Sequence, residues 1–131
     1  MLFKYKKTVR LYHCDILGVI FFSNIYLFFH DCLEEWLSAK GQTLKTILRT
    51  ADFMLPIVHS EADYYLPIKV GDVITVHIVS FITQTHSFKV KYEVYNNENR
   101  LCAGGSTVHV AVSRQNRSKI KLPAVLKKIL Y

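Results

Sequence analysis

Apolar and polar side chains alternate along several stretches of the chain. From Phe3 to Leu11 the odd positions are mostly apolar and the even positions are polar, which predicts a β-strand with one buried face. Val73–Ile82 is apolar on both faces, as in a strand inside a sheet, and Gly104–Gly105 within a strand pattern indicates a bulge or a close backbone approach. Besides the strand at Phe3–Leu11, the sequence predicts four strands, which contain the segments just described: Met54–Leu66, Asp72–Ile82, Ser87–Tyr95 and Leu101–Val112.

One segment repeats its apolar residues with the period of a helix. The stripe consists of Ile25, Phe28, Phe29, Cys32, Leu33, Trp36 and Leu37. It predicts a long helix capped by Ser23 or Asn24 and ended by Gly41. A short helical turn is predicted near Leu44–Leu48. One long helix and about five strands joined by short turns predict a single α+β domain over residues 1–131, with an antiparallel sheet curled around the helix.

Composition supports one folded unit in a reducing compartment. Half of the 131 residues are apolar, which argues against disorder and allows one hydrophobic core. The three cysteines form no C-x-x-C pair, so we expect free thiols. The N-terminus lacks the apolar stretch of a signal peptide, and the apolar run Ile16–Phe29 is shorter than the roughly 18–20 residues of a membrane span. We therefore expect a cytoplasmic protein without stable membrane insertion.

The net charge of +7 is concentrated in the last quarter of the chain. Residues 1–98 carry equal numbers of basic and acidic side chains, whereas residues 99–131 carry seven basic ones and no acidic one. Such a segment favours an anionic partner: nucleic acid, a membrane surface or a phosphorylated small molecule.

The segment between the first strand and the helix contains candidate catalytic groups. If strand geometry persists, His13 and Asp15 continue the buried face and Cys14 points the other way. A carboxylate there can attack a carbonyl carbon or activate water, while the free N–H groups of a helix start stabilise an oxyanion. Gly18 allows a sharp turn or a close approach to a ligand. The alternative is that Asp15 only caps the turn.

This segment resembles a known family. Asp15-x-x-Gly18-Val19-Ile20-Phe21-Phe22-Ser23-Asn24, followed by an aromatic helix, is similar to the signature of hotdog-fold thioesterases of the 4-hydroxybenzoyl-CoA thioesterase type. The helix residues Phe28-x-His30-Asp31-Cys32-x-Glu34-Glu35 are similar to those of 1,4-dihydroxy-2-naphthoyl-CoA hydrolases. Further matches are Leu55–Asp63, Pro67, Gly71-Asp72, His109-Val110 and the basic ending from Arg114 to Pro123. The resemblance implies a hotdog fold.

The resemblance also implies roles for individual residues. Asp15 aligns with the catalytic carboxylate, as nucleophile or general base, and the backbone N–H of Phe22 aligns with the donor that polarises the thioester carbonyl. The resemblance also implies that Gly18 and Val19 contact the substrate. His30 aligns with a helix position at which the hydroxybenzoyl enzyme has an acidic residue that contacts the aromatic hydroxyl. In this chain the resemblance implies that His30 contacts a dihydroxyaryl group instead.

Other implied contacts concern the acyl pocket and the CoA portion. His59 is either an ordinary strand residue or part of the acyl pocket, and Ser87 matches a position near the pantetheine and nucleotide arm of CoA. The arginines that contact CoA phosphates in the hydroxybenzoyl enzyme are replaced here, by Gln84 and Thr85 and by His109. Arg114 and Arg117 are therefore our candidates for the phosphate contacts.

We expect an acyl-CoA thioesterase, with 1,4-dihydroxy-2-naphthoyl-CoA as the first substrate candidate and a general short-chain or aromatic acyl-CoA thioesterase as the alternative. The six histidines show no metal-ligand spacing, so we expect no metal, and no cofactor apart from the CoA of the substrate. The resemblance implies a homodimer or homotetramer, in which Asp15 faces the partner chain near His59–Asp63. A non-catalytic anion-binding module is the distant alternative, but the basic segment has few aromatic residues for base stacking and no nucleic-acid motif.

Overall fold

A five-stranded antiparallel sheet is the largest element of the computed structural model. The structure describes the backbone of residues 1–131 and all side chains except those of Leu44, Leu48 and Thr50. The strands are β1 Phe3–Thr8, β2 Phe53–Met54, β3 Ile57–Tyr64, β4 Val73–Thr83, β5 Ser87–Tyr95, β6 Leu101–Val110 and β7 Val112–Ser113. The five-stranded sheet has the strand order β1-β4-β5-β6-β3, and β2 and β7 form a separate two-stranded sheet. The helices are α1 Ile25–Ala39, α2 Leu44–Thr50 and α3 Ala124–Leu130.

The long helix lies against the concave face of the sheet, as predicted. All seven residues of the apolar stripe in α1 are buried, because the 3.6-residue period places them on one side. The helix ends where Gly41 adopts a φ of 79° and the N–H of Gln42 donates to the carbonyl of Leu37 at 2.9 Å. This is the left-handed helix end that favours glycine. An ion pair of 3.3 Å between Lys7 and Asp31 joins β1 to the helix.

Several predicted strand boundaries are wrong. The first strand ends at Thr8 instead of Leu11, because the chain turns into a short 3-10 helix over Leu11–His13. The predicted strand Met54–Leu66 is divided into β2 and β3 around Pro56, which has no N–H to donate to a ladder. The predicted strand Leu101–Val112 stops at Val110, because the residues that follow, Val112–Ser113, pair with β2 as a separate strand. Helix α3 was not predicted.

Phe29 makes a close contact between helix and sheet. Its ring stacks on that of Tyr92, with centroids 4.5 Å apart and planes inclined by 4°. A Cβ atom on the neighbouring Gly105 would lie 2.8 Å from Cε2 of Phe29 and 2.2 Å from the carbonyl oxygen of Glu61. The predicted close backbone approach is therefore confirmed at Gly105. The alternative of a bulge there is wrong, since the register runs unbroken through Gly104 and Gly105.

One edge of the sheet is open to solvent. Strand β3 pairs with β6 on one side only, and seven of its eight residues are exposed. They include large apolar side chains, among them Val58 at 60% exposure. An exposed apolar edge strand of this kind offers unpaired backbone groups to another strand.

The contact at Gly105 yields a test of stability. We expect Gly105→Ala to reduce the free energy of unfolding by about 1–3 kcal/mol, because the added methyl group overlaps the ring of Phe29 and the backbone of Glu61. Urea denaturation measures this change. Gly104→Ala is the matched control, since a Cβ there meets only ordinary contacts, the nearest at 3.4 Å. Equal stability of the two variants would contradict the packing argument.

Candidate active site

The segment between β1 and α1 is anchored by His13. The side chain is buried, and its Nδ1 accepts a hydrogen bond of 2.9 Å from the N–H of Arg10. The centroids of the His13 and Phe28 rings lie 4.9 Å apart in an edge-to-face arrangement. Burial lowers the pKa of His13, and the positive charge of Lys7 lowers this pKa further. The acceptor role of Nδ1 and the lowered pKa both favour a neutral imidazole.

Asp15 lies in a tight turn that follows this anchor. Its Oδ1 accepts hydrogen bonds from the N–H groups of Leu17 at 2.9 Å and of Val19 at 3.4 Å, and Gly18 completes the turn with a φ of 77°. Within the part of the chain that the structure describes, no group donates to Oδ2. The carboxylate therefore caps its own turn through one oxygen and keeps the other available.

Asp15 is exposed, so its predicted place on the buried face of a continuing strand is wrong. The 3-10 turn at Leu11–His13 changes the direction of the chain, and side chains after it no longer follow strand alternation. His13 is buried as predicted, and Cys14 is half-buried.

Phe22 begins the 3-10 turn Phe22–Asn24 that leads into α1. The first N–H groups of a helical turn have no acceptor within it, which fits the predicted role of the Phe22 N–H as a donor to a ligand. The carbonyl of His13 accepts two hydrogen bonds from this turn, one from the N–H of Phe21 at 2.9 Å and one from Nδ2 of Asn24 at 2.7 Å. The structure thus ties the turn that carries Phe22 to the segment that carries Asp15.

An apolar cleft of about 370 Å³ opens beside this turn, at the end of β3. The hydroxyl of Tyr64 lies at its border and donates a hydrogen bond to the carbonyl of Phe22. Burial raises the pKa of the Tyr64 hydroxyl, so it remains a donor at neutral pH. The cleft is lined by Val19, Ile20, Phe22, Tyr64, Tyr65, Leu66, Pro67 and Ile68. Its lining suits an apolar or aromatic group.

The two predicted substrate-binding histidines lie apart from this cleft. His30 lies on the exposed side of α1, and its Nε2 is 3.2 Å from Oε1 of Glu34. His59 pairs in register with Val108 and lies on the sheet face opposite the helix, where its Nε2 is 3.9 Å from Oε2 of Glu61. Within one chain, neither histidine lines the apolar cleft. Their contacts with substrate stay predictions.

Ser87 lies in a second cleft, of about 480 Å³, at the turn between β4 and β5. Lys119 of the basic segment lines the same cleft, together with Gln84, Thr85, His86 and Val110. The structure therefore brings Ser87 and Lys119, a cation of the basic segment, to the same cleft. Their proximity could not be predicted from the sequence.

Arg114 has a structural partner. Its Nε donates to the carbonyl of Ala51 at 2.8 Å and its Nη2 to the carbonyl of Ile47 at 2.6 Å. These bonds satisfy carbonyl groups at the C-terminal end of α2, where a cation is favourable. Arg117 is exposed and has a φ of 59° in the turn after β7. The phosphate contacts of both arginines stay predictions.

Three buried polar side chains, which the sequence pattern did not indicate, form a hydrogen-bonded chain between β5 and β6. The hydroxyl groups of Tyr92 and Thr107 lie 3.1 Å apart, and Thr107 Oγ1 lies 2.9 Å from Nε2 of His109. The ring of His109 stacks on Phe88 with centroids 4.9 Å apart. Burial lowers the pKa of His109 to about 4. The available signal for these hydrogen-bonded groups was a pair of polar residues, Thr107 and His109, two positions apart in an otherwise buried strand.

Three further findings bear on the predictions. The cysteines Cys14, Cys32 and Cys102 are free thiols, as predicted. Among the described residues, no group of His, Cys, Asp and Glu side chains could hold a metal ion. No helix in the described structure has both the length and the apolar character needed to cross a membrane.

An antiparallel sheet wrapped around one long helix is the architecture of the hotdog fold, as predicted. The family model described as the Thioesterase-like superfamily matches residues 9–130, and the chain belongs to this family. Its resemblance to thioester hydrolases is thereby confirmed.

Relatives and solved structures agree with this assignment. A Synechocystis protein named 1,4-dihydroxy-2-naphthoyl-CoA hydrolase is 33% identical over 122 residues, which cover 92% of this chain and 88% of the relative. A Nostoc punctiforme protein of the same name is 33% identical over 94% of this chain and 82% of its own length. The crystal structure of a 1,4-dihydroxy-2-naphthoyl-CoA thioesterase from Synechocystis superimposes with a TM-score of 0.91 at 31% identity, covering 98% of this chain and 94% of that chain.

The buried imidazole of His109 predicts a pH dependence of stability. Its pKa is about 4 in the folded protein and about 6.5 in an unfolded chain, so the unfolded state binds more protons between these values. Stability therefore falls as the pH drops from about 6.5 to about 4, by roughly 3 kcal/mol at most. We expect His109→Gln, which stays neutral, to lose this part of the dependence. Urea denaturation at several pH values measures it, and an unchanged slope in the variant would contradict the assignment.

Proposed function

We propose that this protein hydrolyses 1,4-dihydroxy-2-naphthoyl-CoA to the free naphthoate and CoA. One observation carries the proposal: the carbonyl of His13 binds the turn that presents the Phe22 N–H, and Asp15 follows His13 by two residues. These hydrogen bonds hold the carboxylate of Asp15 and the N–H of Phe22 within one short segment. The relatives named for this substrate, at 33% identity over most of the chain, support the choice of acyl group.

The proposed chemistry uses the groups described above. The free oxygen of Asp15 either attacks the thioester carbonyl carbon or removes a proton from the water that attacks it. The N–H of Phe22 stabilises the negative charge that develops on the carbonyl oxygen. The carbon–sulfur bond then breaks, and the thiolate of CoA leaves and takes up a proton that comes from water. If Asp15 attacks directly, the acyl group is left on its carboxylate as an anhydride, and water hydrolyses this anhydride to release the naphthoate and restore Asp15. The reaction needs no resident metal or redox cofactor, and the free cysteines support the proposed cytoplasmic location.

The apolar cleft beside Phe22 supports binding of an aromatic acyl group. It lies on the same turn as the proposed oxyanion donor, and hydrocarbon and aromatic side chains dominate its lining. Burial of an aromatic ring there contributes roughly 25 cal/mol for each Å² of apolar surface removed from water.

For the nucleotide end of CoA we propose the cleft at Ser87. Lys119 supplies a positive charge there, and the exposed side chain of Arg117 belongs to the same basic segment. Arg114 retains guanidinium N–H groups beyond the two that hold the end of α2. A flexible lysine beside a hydroxyl group is an ordinary way to bind a phosphate.

We further propose that two chains pair through β3 and form at least a homodimer. The strand has a free edge and exposed apolar side chains, and the apolar cleft lies at its end. Pairing would cover this surface and bring His59–Asp63 of the partner chain toward Asp15. Sedimentation equilibrium should give a mass of at least twice 15.2 kDa. A monomer with full activity would contradict this assembly.

A panel of thioesters tests the proposed substrate. We expect a higher kcat/KM for 1,4-dihydroxy-2-naphthoyl-CoA than for benzoyl-CoA or butyryl-CoA, because the apolar cleft suits a flat ring system. Thiol release, measured with a thiol reagent, gives these constants. An N-acetylcysteamine thioester of the same acid lacks the phosphates and should show a higher KM. Preference for butyryl-CoA would favour a general thioesterase instead, and absence of any hydrolysis would refute the proposed activity.

Substitution of Asp15 tests the proposed mechanism. We expect Asp15→Asn to reduce kcat by at least about 100-fold, because the amide is neither nucleophile nor base. The fold should persist, since the amide oxygen can still accept from the N–H of Leu17. Asp72→Asn is the matched control: Asp72 also caps a turn, accepting from the N–H of Lys69 at 2.8 Å, and its substitution should leave kcat unchanged. Turnover by Asp15→Asn at the wild-type rate would exclude this mechanism.

A further inference from the structure

Asn24 occupies the N-cap position of α1 without acting as a side-chain cap. An N-cap asparagine normally accepts a hydrogen bond from an N–H of the first helical turn through its side-chain oxygen. The side chain of Asn24 makes no such bond. It donates instead, from Nδ2 to the carbonyl of His13 at 2.7 Å. The feature used here is therefore the amide donor, which an aspartate cannot supply in its ionised form.

The backbone of Asn24 holds the neighbouring peptide group as well. Its N–H donates to the carbonyl of Phe21 at 2.8 Å. In a trans peptide the C=O and N–H groups point in opposite directions. The N–H of Phe22 belongs to the same peptide group as that carbonyl, so it points away from Asn24 and out of the turn. Asn24 thus contacts both parts of the site, the Phe22 turn through its backbone and the Asp15 segment through its side chain.

From this arrangement we infer that Asn24 is a positioning residue for thioester hydrolysis. Its side chain fixes the Phe22 N–H relative to the carboxylate of Asp15, using the carbonyl of His13 as the common attachment point. The buried, neutral His13 is a firm attachment, because its ring is held by Arg10 and Phe28. The inference rests on the proposed function, since it assigns Asn24 to that same site.

The experiment compares Asn24→Asp with the wild-type enzyme. Aspartate has the same shape and is an equally good N-cap, and its charge is favourable at a helix N-terminus. It places an oxygen against the carbonyl of His13 where the donor was. We expect kcat to fall about 10- to 100-fold, because a displaced donor no longer matches the oxyanion. KM for the acyl-CoA, affinity for a non-hydrolysable thioether analogue and the melting temperature should stay near the wild-type values.

Asn96→Asp is the matched control. The side chain of Asn96 accepts hydrogen bonds of 3.0 Å from the N–H groups of Glu98 and Arg100 in the turn between β5 and β6. Because this asparagine acts as an acceptor, its replacement by aspartate should leave kcat unchanged. If Asn24→Asp does not fold, Asn24→Ser replaces it: serine caps helices but is too short to span the same distance to His13. It should show the same loss of kcat.

The possible outcomes separate this inference from the proposed function. A lowered kcat with unchanged KM and analogue affinity supports the positioning role. Wild-type kcat in a folded Asn24 variant overturns it, as does a loss of kcat that is matched by equal losses of analogue affinity and thermal stability. If Asp15→Asn abolishes turnover while the Asn24 variant retains it, only the role of Asn24 fails. If the wild-type protein hydrolyses no acyl-CoA, the proposed function and the role of Asn24 both fail.

Discussion

The position of the long helix depends on the close contact between Phe29 and the sheet. The ring lies flat on Tyr92, and the absence of a side chain at Gly105 allows the helix to approach the backbone of β6. Since α1 is one continuous helix over Ile25–Ala39, this contact also affects where its N-terminus lies. The turn that presents the Phe22 N–H is continuous with that N-terminus. Packing in the core and geometry at the site are thus linked through one helix.

The site itself is built mostly from backbone groups. The carbonyl of His13 accepts from Phe21 and Asn24, and the turn of Asp15 is closed by backbone N–H groups and by Gly18. Hydrogen bonds of this kind place groups accurately without large side chains. The buried residues Ile20 and Phe28 lie along this segment, and the bond from Asn24 to the carbonyl of His13 is partly shielded from water, whereas the bonds to Asp15 are exposed.

The basic segment is less uniform than its charge indicates. Arg114 completes the C-terminal end of α2, so part of its guanidinium serves the fold. Lys119 borders the cleft of Ser87, whereas Arg117 lies exposed in a turn. One run of like charges therefore combines structural, candidate binding and solvent-exposed residues. Net charge alone could not separate these three, because the difference lies in which carbonyl or hydroxyl group each cation meets.

Local pattern was enough to predict the elements whose burial repeats regularly. The apolar stripe of α1 and the alternation in Ser87–Tyr95 correspond to the observed helix and strand, because period and burial coincide there. The motif around Asp15 was likewise sufficient to indicate the family that the comparisons show. The sequence also placed Phe28, Phe29 and Trp36 in the core, where they lie.

Only the tertiary structure decided how distant segments meet. The strand order β1-β4-β5-β6-β3, the pairing of β2 with β7, and the partners of Arg114 depend on contacts between residues far apart in the chain. The exposure of Asp15 also followed from a turn at Leu11–His13, which strand alternation could not indicate. Periodicity reports which side of an element is buried, whereas the hydrogen-bond partner of a side chain depends on which element packs against it.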